Sequence, residues 1–191
     1  MKLLTLKIFA LLAISLSCVE LRSENSIYQD FKISKGRLGE IRIGQPIDNA
    51  ENYLQEFRRE LDEAWLFGYG GGGSIYLYYD NEKPILGLIP KRGTDTVKAI
   101  IVISEKFKND KGLSTSLTFE DLKQLYPETE INLNEKYGWE WSVYKDEYFH
   151  VVFMTNEDNR IGQYTFDKYG IPTKKEELNN IKKPIDWIAI E

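Results

Sequence analysis

Residues 8–16 form an uncharged, almost wholly apolar run that would cover every side of a helix, and Lys2 and Lys7 stand before it. Polar residues follow at once: Glu20, Arg22, Ser23, Glu24 and Asn25. A run of about nine residues fits the hydrophobic part of an export signal and falls far short of the roughly 20 that a membrane-spanning helix needs. Beyond it the pattern shortens. Residues 38–43 (Leu-Gly-Glu-Ile-Arg-Ile) alternate as a strand does, until Gly44-Gln45-Pro46 interrupts. Ala50, Leu54, Phe57 and Leu61 then recur at helical intervals. They predict one helix with a buried stripe, capped by Asp48 with Glu51 at the capping-box spacing.

Four extended runs come next, at 64–67, 75–79, 84–89 and 97–103, joined by turn-like segments at 70–74, 80–82 and 91–94. Connections this short predict an antiparallel meander, and the continuously apolar run 97–103 belongs at its centre. A second helix starts at Thr118, with Asp121 reciprocating the cap and Phe119, Leu122 and Leu125 facing inward; Tyr126-Pro127 ends it. Strands are predicted at 130–133, 139–144, 148–154 and 161–166. A short polar helix from Thr173 and a closing strand at 185–190 complete the chain. The order predicts an α+β fold, mostly antiparallel sheet with two main helices, arranged as two β-rich halves of one domain. Each half reads as one helix followed by about four strands, although residue identities do not repeat between them.

The chain has 191 residues, a formal charge of −5 and a single cysteine. We divide it into a signal peptide (1–17), a polar tether (18–30) and one domain (31–191). Loss of the first segment removes two lysines and leaves a mature charge near −7. Nucleic acid and anionic lipid surfaces repel such a chain, so neither is an expected general partner. Cys18 has no cysteine to pair with and directly follows Ser15-Leu16-Ser17. Ser15-Leu16-Ser17-Cys18 resembles a lipobox, with serine where leucine is usual. That likeness implies a lipid-modified Cys18 and a membrane-anchored mature chain; the alternative is ordinary cleavage beside an incidental free thiol. Val19 is not the aspartate that commonly retains lipoproteins in an inner membrane, which makes the outer membrane the expected address.

Little of the remaining sequence carries recognisable chemistry. The run Gly68-Tyr69-Gly70-Gly71-Gly72-Gly73-Ser74 lacks the lysine and the following helix of a phosphate loop. We read Gly70, Gly71, Gly72 and Gly73 as a hairpin tip able to contact a partner. The sole histidine, His150, has no second histidine for a metal site and no G-x-S-x-G nucleophile, so a structural strand role is expected. Neither a metal nor a cofactor is expected. Trp139 and Trp141 are two apart and project from one face of a strand. With Tyr144 they form a candidate binding surface: a stacking platform for a sugar ring or a partner's side chains if exposed, core if buried.

The middle of the chain carries Lys83-Pro84-Ile85-Leu86, then the run from Val97 to Ser104, then Gly112-Leu113-Ser114-Thr115-Ser116-Leu117-Thr118-Phe119-Glu120-Asp121-Leu122. This quarter of the sequence resembles uncharacterised bacterial envelope lipoproteins of the RpoE-regulated type. Members of that family carry cysteines in the C-terminal part, and this chain has none there. The resemblance implies an envelope location and no assigned activity. The resulting expectation is a non-catalytic envelope lipoprotein that binds a protein or a glycan, an inhibitor or immunity protein being one version. Two alternatives stay open: an accessory factor in outer-envelope assembly or maintenance, and a hydrolase with a carboxylate site.

Overall fold

The computed structural model describes residues 28–70 and 73–191. The expected signal peptide (1–17), Cys18, the tether as far as residue 27, and Gly71 and Gly72 lie outside the described residues.

Folded structure is already present at Tyr28, three residues ahead of the expected boundary. Its ring packs on Phe57 and Phe107, and its hydroxyl bonds the Asp80 carboxylate. A small meander follows: β1 (Ile33–Ser34), β2 (Arg37–Leu38) and β3 (Ile41–Arg42). The single strand expected over 38–43 is instead folded in two. Leu38 and Ile41, three apart, would face opposite sides of a straight strand, yet both are buried and directly paired. The reversal falls at Gly39, which has φ +57° and lies so close to the Asp30 carbonyl that a Cβ could not fit.

Helix α1 (Ile47–Glu51) is one turn and a half, with Pro46 rather than Asp48 at its N-cap. Of the predicted stripe, Ala50 and Leu54 are buried and Phe57 packs at the edge of the core. Successive turns, not a continued helix, keep these three inward. Leu61 is 65% exposed, because the chain has become β4 (Arg58–Glu63). The open edge of β5 (Ser74–Asp80) takes all six β4 residues into its ladder, and Arg58 and Arg59 lie over the Tyr79 and Tyr76 rings. That pairing overrides the helical spacing. Residues Ala64–Phe67, expected as a strand, form a 3-10 turn closed by Gly68 at φ +90°.

The meander continues through β6 (Lys83–Pro90) and β7 (Val97–Val102). Helix α2 (Phe119–Leu125) carries the predicted reciprocal cap: Asp121 N–H donates to Thr118 Oγ1 at 3.2 Å, and Thr118 N–H donates to Asp121 Oδ2 at 2.9 Å. Strands β8 (Asn132–Leu133), β9 (Glu140–Tyr144) and β10 (Phe149–Phe153) build the other flank. Strand β11 (Gly162–Phe166) leaves the sheet and pairs only with β12 (Pro172–Leu178), where a polar helix was expected. The segment offers a helix no apolar stripe to bury, whereas β11 offers it a hydrogen-bonding edge.

The last strand, β13 (Trp187–Ile190), inserts between β7 and β10. It joins both flanks into one open, antiparallel sheet of eight strands, in the order β4-β5-β6-β7-β13-β10-β9-β8. The two expected halves therefore share a sheet, and 97–102 lies near its centre as predicted. One face, with Leu86, Ile100, Val151 and Ile188, packs under the N-terminal meander, α1 and α2. The other, with Leu77, Ile101, Val152 and Ala189, has a smaller aromatic cover. No helix among the described residues is long and apolar enough to cross a membrane.

Strand β9 also anchors the detached β11–β12 hairpin. The Glu140 side chain is fully buried and accepts from Ile161 N–H (2.6 Å), Gly162 N–H (2.7 Å) and the Tyr164 hydroxyl (2.8 Å). Replacing Glu140 by alanine strands these three donors at about 1–3 kcal/mol each. We expect Glu140→Ala to lower stability by about 3 kcal/mol or more, read as an earlier urea midpoint. Glu140→Gln, which keeps one acceptor oxygen, should lose less.

Candidate functional site

A cleft opens on the less covered face, around the point where β7, β13, β10 and β9 run side by side. Its cavity measures about 340 Å³, within the usual range for small-ligand sites. One wall is the arm that follows the Ala64–Phe67 turn. Ala64 is buried, and Phe67 meets Trp187 edge to face at 5.4 Å. Gly68 then turns the chain so that Tyr69 and Gly70 reach the cleft. The opposite wall is β9 and the loop before it. Trp139 stacks on Tyr137 at 4.9 Å and 19°, and meets Trp187 edge to face at 5.1 Å. Trp141 stands edge-on to His150 at 5.4 Å.

Both tryptophans project from one face, as their spacing predicts. They are half-buried: each packs against the second-face core and also lines the cleft. Tyr144 does not join them. It sits three positions from Trp141, so it points to the other face. There it packs at 4.9 Å on both Tyr126 and Phe149, and its hydroxyl is 2.6 Å from that of Thr129. Of the glycines, Gly70 lines the cleft, while the Gly73 carbonyl accepts from Ala64 N–H at 2.9 Å and helps close the turn.

Polar groups converge on the same space. The Tyr69 hydroxyl donates to Glu191 Oε1 at 2.6 Å. Burial, reinforced by Glu191, holds this phenol far above its ordinary range, so it stays a donor. The other Glu191 oxygen lies 3.8 Å from His150 Nδ1. Burial pushes the His150 pKa below its ordinary 6.5, and Glu191 only partly opposes that, so the imidazole is neutral at pH 7. Lys98 Nζ lies 5.2 Å from the centre of the Tyr69 ring and lines the cleft. The buried Trp187 Nε1 has no hydrogen-bond partner among the described residues, nor has Tyr137 Oη, beside Gly70 at the rim.

Tyr69, Lys98 and Glu191 were not among the expected site residues. Lys98 did carry a signal, as the one charge in the most apolar run of the domain. Tyr69 and Glu191 meet across 122 positions of sequence and carried none. No group of three or more His, Cys, Asp or Glu among the described residues could hold a metal ion.

No family model matches the chain, and no curated protein matches it. Among solved structures, the chain is similar to the crystal structure of the uncharacterized protein yfeY from Escherichia coli. The likeness has a TM-score of 0.53 at 12% identity, over 85% of this chain and 99% of that one. It establishes a shared fold.

His150 is the only histidine, so unfolding between pH 7 and 5.5 reports mainly on it. Its pKa is lower folded than unfolded, so the unfolded chain takes up its proton first. Stability is therefore expected to fall as pH drops below about 6.5, until the folded pKa is passed. Urea titrations at stepped pH should show this slope in the wild type and a flat line in His150→Gln.

Proposed function

We propose that the chain is a non-catalytic binding module of the bacterial cell envelope, anchored through a lipid on Cys18, whose cleft captures a saccharide. The observation that carries this reading is the convergence of Trp139, Trp141 and Tyr69 on one cavity with Lys98, His150 and Glu191 at its edge. Apolar ring faces with a few fixed polar groups suit a sugar, whose ring has an apolar face and a hydroxylated periphery. The envelope setting rests on the apolar run 8–16 and on Ser15-Leu16-Ser17-Cys18. Kinship with RpoE-regulated lipoproteins is part of the same proposal.

A protein partner is a second reading, favoured by the β11–β12 hairpin, where Phe166, Tyr169 and Ile171 are exposed.

A saccharide array, followed by titration of the best binder, tests the first reading. Trp141→Ala should weaken binding at least tenfold, a change of about 1.4 kcal/mol. Trp65→Ala, which removes an exposed tryptophan outside the cleft, should leave affinity unchanged. Equal losses in both variants, or none in either, would remove the cleft as the site. Separately, metabolic labelling with a fatty-acid probe should mark the wild type and be lost in Cys18→Ala.

A further inference from the structure

The polar groups of the cleft are unevenly answered, and the imbalance specifies a ligand. Both carboxylates in its lining are engaged: Glu191 accepts from Tyr69 and faces His150, and Glu140 accepts from Ile161 N–H, Gly162 N–H and the Tyr164 hydroxyl. Its donors are not. Lys98 has no carboxylate within ion-pair distance among the described residues; its Nζ lies 5.2 Å from the centre of the Tyr69 ring. Trp187 is 3% exposed, lines the cleft, and keeps an indole N–H without an acceptor. A buried donor left unanswered costs about 1–3 kcal/mol, which an incoming acceptor recovers.

We infer that the saccharide taken by this cleft carries a carboxylate: its ring lies against Trp139 and Trp141, and its carboxylate oxygens answer Lys98 and the Trp187 N–H. This rests on the saccharide reading above and narrows it. A carboxylate supplies the charge that Lys98 lacks and an acceptor for the indole, whereas a sugar hydroxyl supplies only the acceptor. The net negative charge of the chain works against the approach of an anion. That field is screened over about 8 Å at physiological ionic strength, so the contact with Lys98 decides the outcome.

Two matched pairs of probes test the inference on the detergent-solubilised full chain, by tryptophan fluorescence titration at pH 7. N-acetylmuramic acid and N-acetylglucosamine share a ring and differ by a lactyl carboxylate; methyl glucuronide and methyl glucoside differ by a ring carboxylate. We expect the acid member of at least one pair to bind ten times or more tighter than its neutral partner. That preference should vanish in Lys98→Gln, persist in Lys98→Arg, and weaken between 50 and 300 mM salt, at about the concentrations where screening tightens. Lys98 is exposed, so neither substitution threatens the fold. Equal binding of acid and neutral sugars would overturn the inference and leave the saccharide reading standing. No binding of any probe, in a protein whose thermal unfolding is normal, would overturn both.

Discussion

The insertion of β13 governs the rest of the structure. All four of its residues pair with β10 on one side and the last three with β7 on the other, and all four side chains are buried. Ile188 and Ile190 face the larger core, whereas Trp187 and Ala189 face the smaller one. At roughly 1.5–3 kcal/mol for each fully buried large apolar side chain, this short strand is among the densest sources of stabilisation in the chain. Without it, β4–β7 and β8–β10 would each present an unpaired apolar edge. The two flanks can join only when residues 187–190 are in place, a non-local pairing of the kind that slows folding.

The same strand decides where the cleft lies. Trp187 contributes an aromatic wall, and Ala189, opposite His150 in the register, contributes almost no bulk. Large rings flanking a small side chain make a depression by geometry alone. Glu191, the residue immediately after the strand, then accepts from Tyr69 and holds the arm after β4 against this face. The floor and the latch thus come from five consecutive residues, 187–191. Because Tyr69 remains protonated, the latch is a neutral donor on an acceptor, and it keeps its sense across the physiological pH range.

Patterns that reflect local physics were legible in the sequence. The α2 capping box, the central position of 97–102 and the shared face of Trp139 and Trp141 all follow from spacing within a few residues. The failures arose where a distant partner chose between two local options. Residues 58–63 fit a helical stripe as far as Leu61, but the β5 edge was open and took them. The polar stretch 172–178 carried no strand pattern, and β11 supplied the partner. Residues 38–43 alternated well enough for a strand, but Leu38 and Ile41 had to share a face, which only a reversal at Gly39 permits. Tyr144 was grouped with the tryptophans by proximity in sequence, although odd spacing sends it to the opposite face. The cleft was the least legible feature, because its polar members come from separate elements and meet only after β13 is seated.

Glu140 and Lys98 mark two ways this sheet treats a polar group among apolar neighbours. Glu140 is surrounded by three donors at 2.6–2.8 Å, so its burial is compensated within the chain and it serves to hold the β11–β12 hairpin. Lys98 is the exposed residue of an apolar strand and has no carboxylate at ion-pair distance among the described residues, and Trp187, which lines the same cleft, keeps an N–H unanswered there. Buried unpaired polar atoms are few in folded proteins. Those on Gln45, Ser142 and Arg160 lie outside the cleft lining, whereas Trp187 Nε1 belongs to it and Tyr137 Oη borders it. Local choices that weaken a fold and gather at one concave place are the expected mark of a site shaped for something other than stability. A chain that satisfies Glu140 so fully has the means to satisfy its charges internally. That it leaves the buried Trp187 N–H open at the cleft favours a ligand as its partner over a defect in packing.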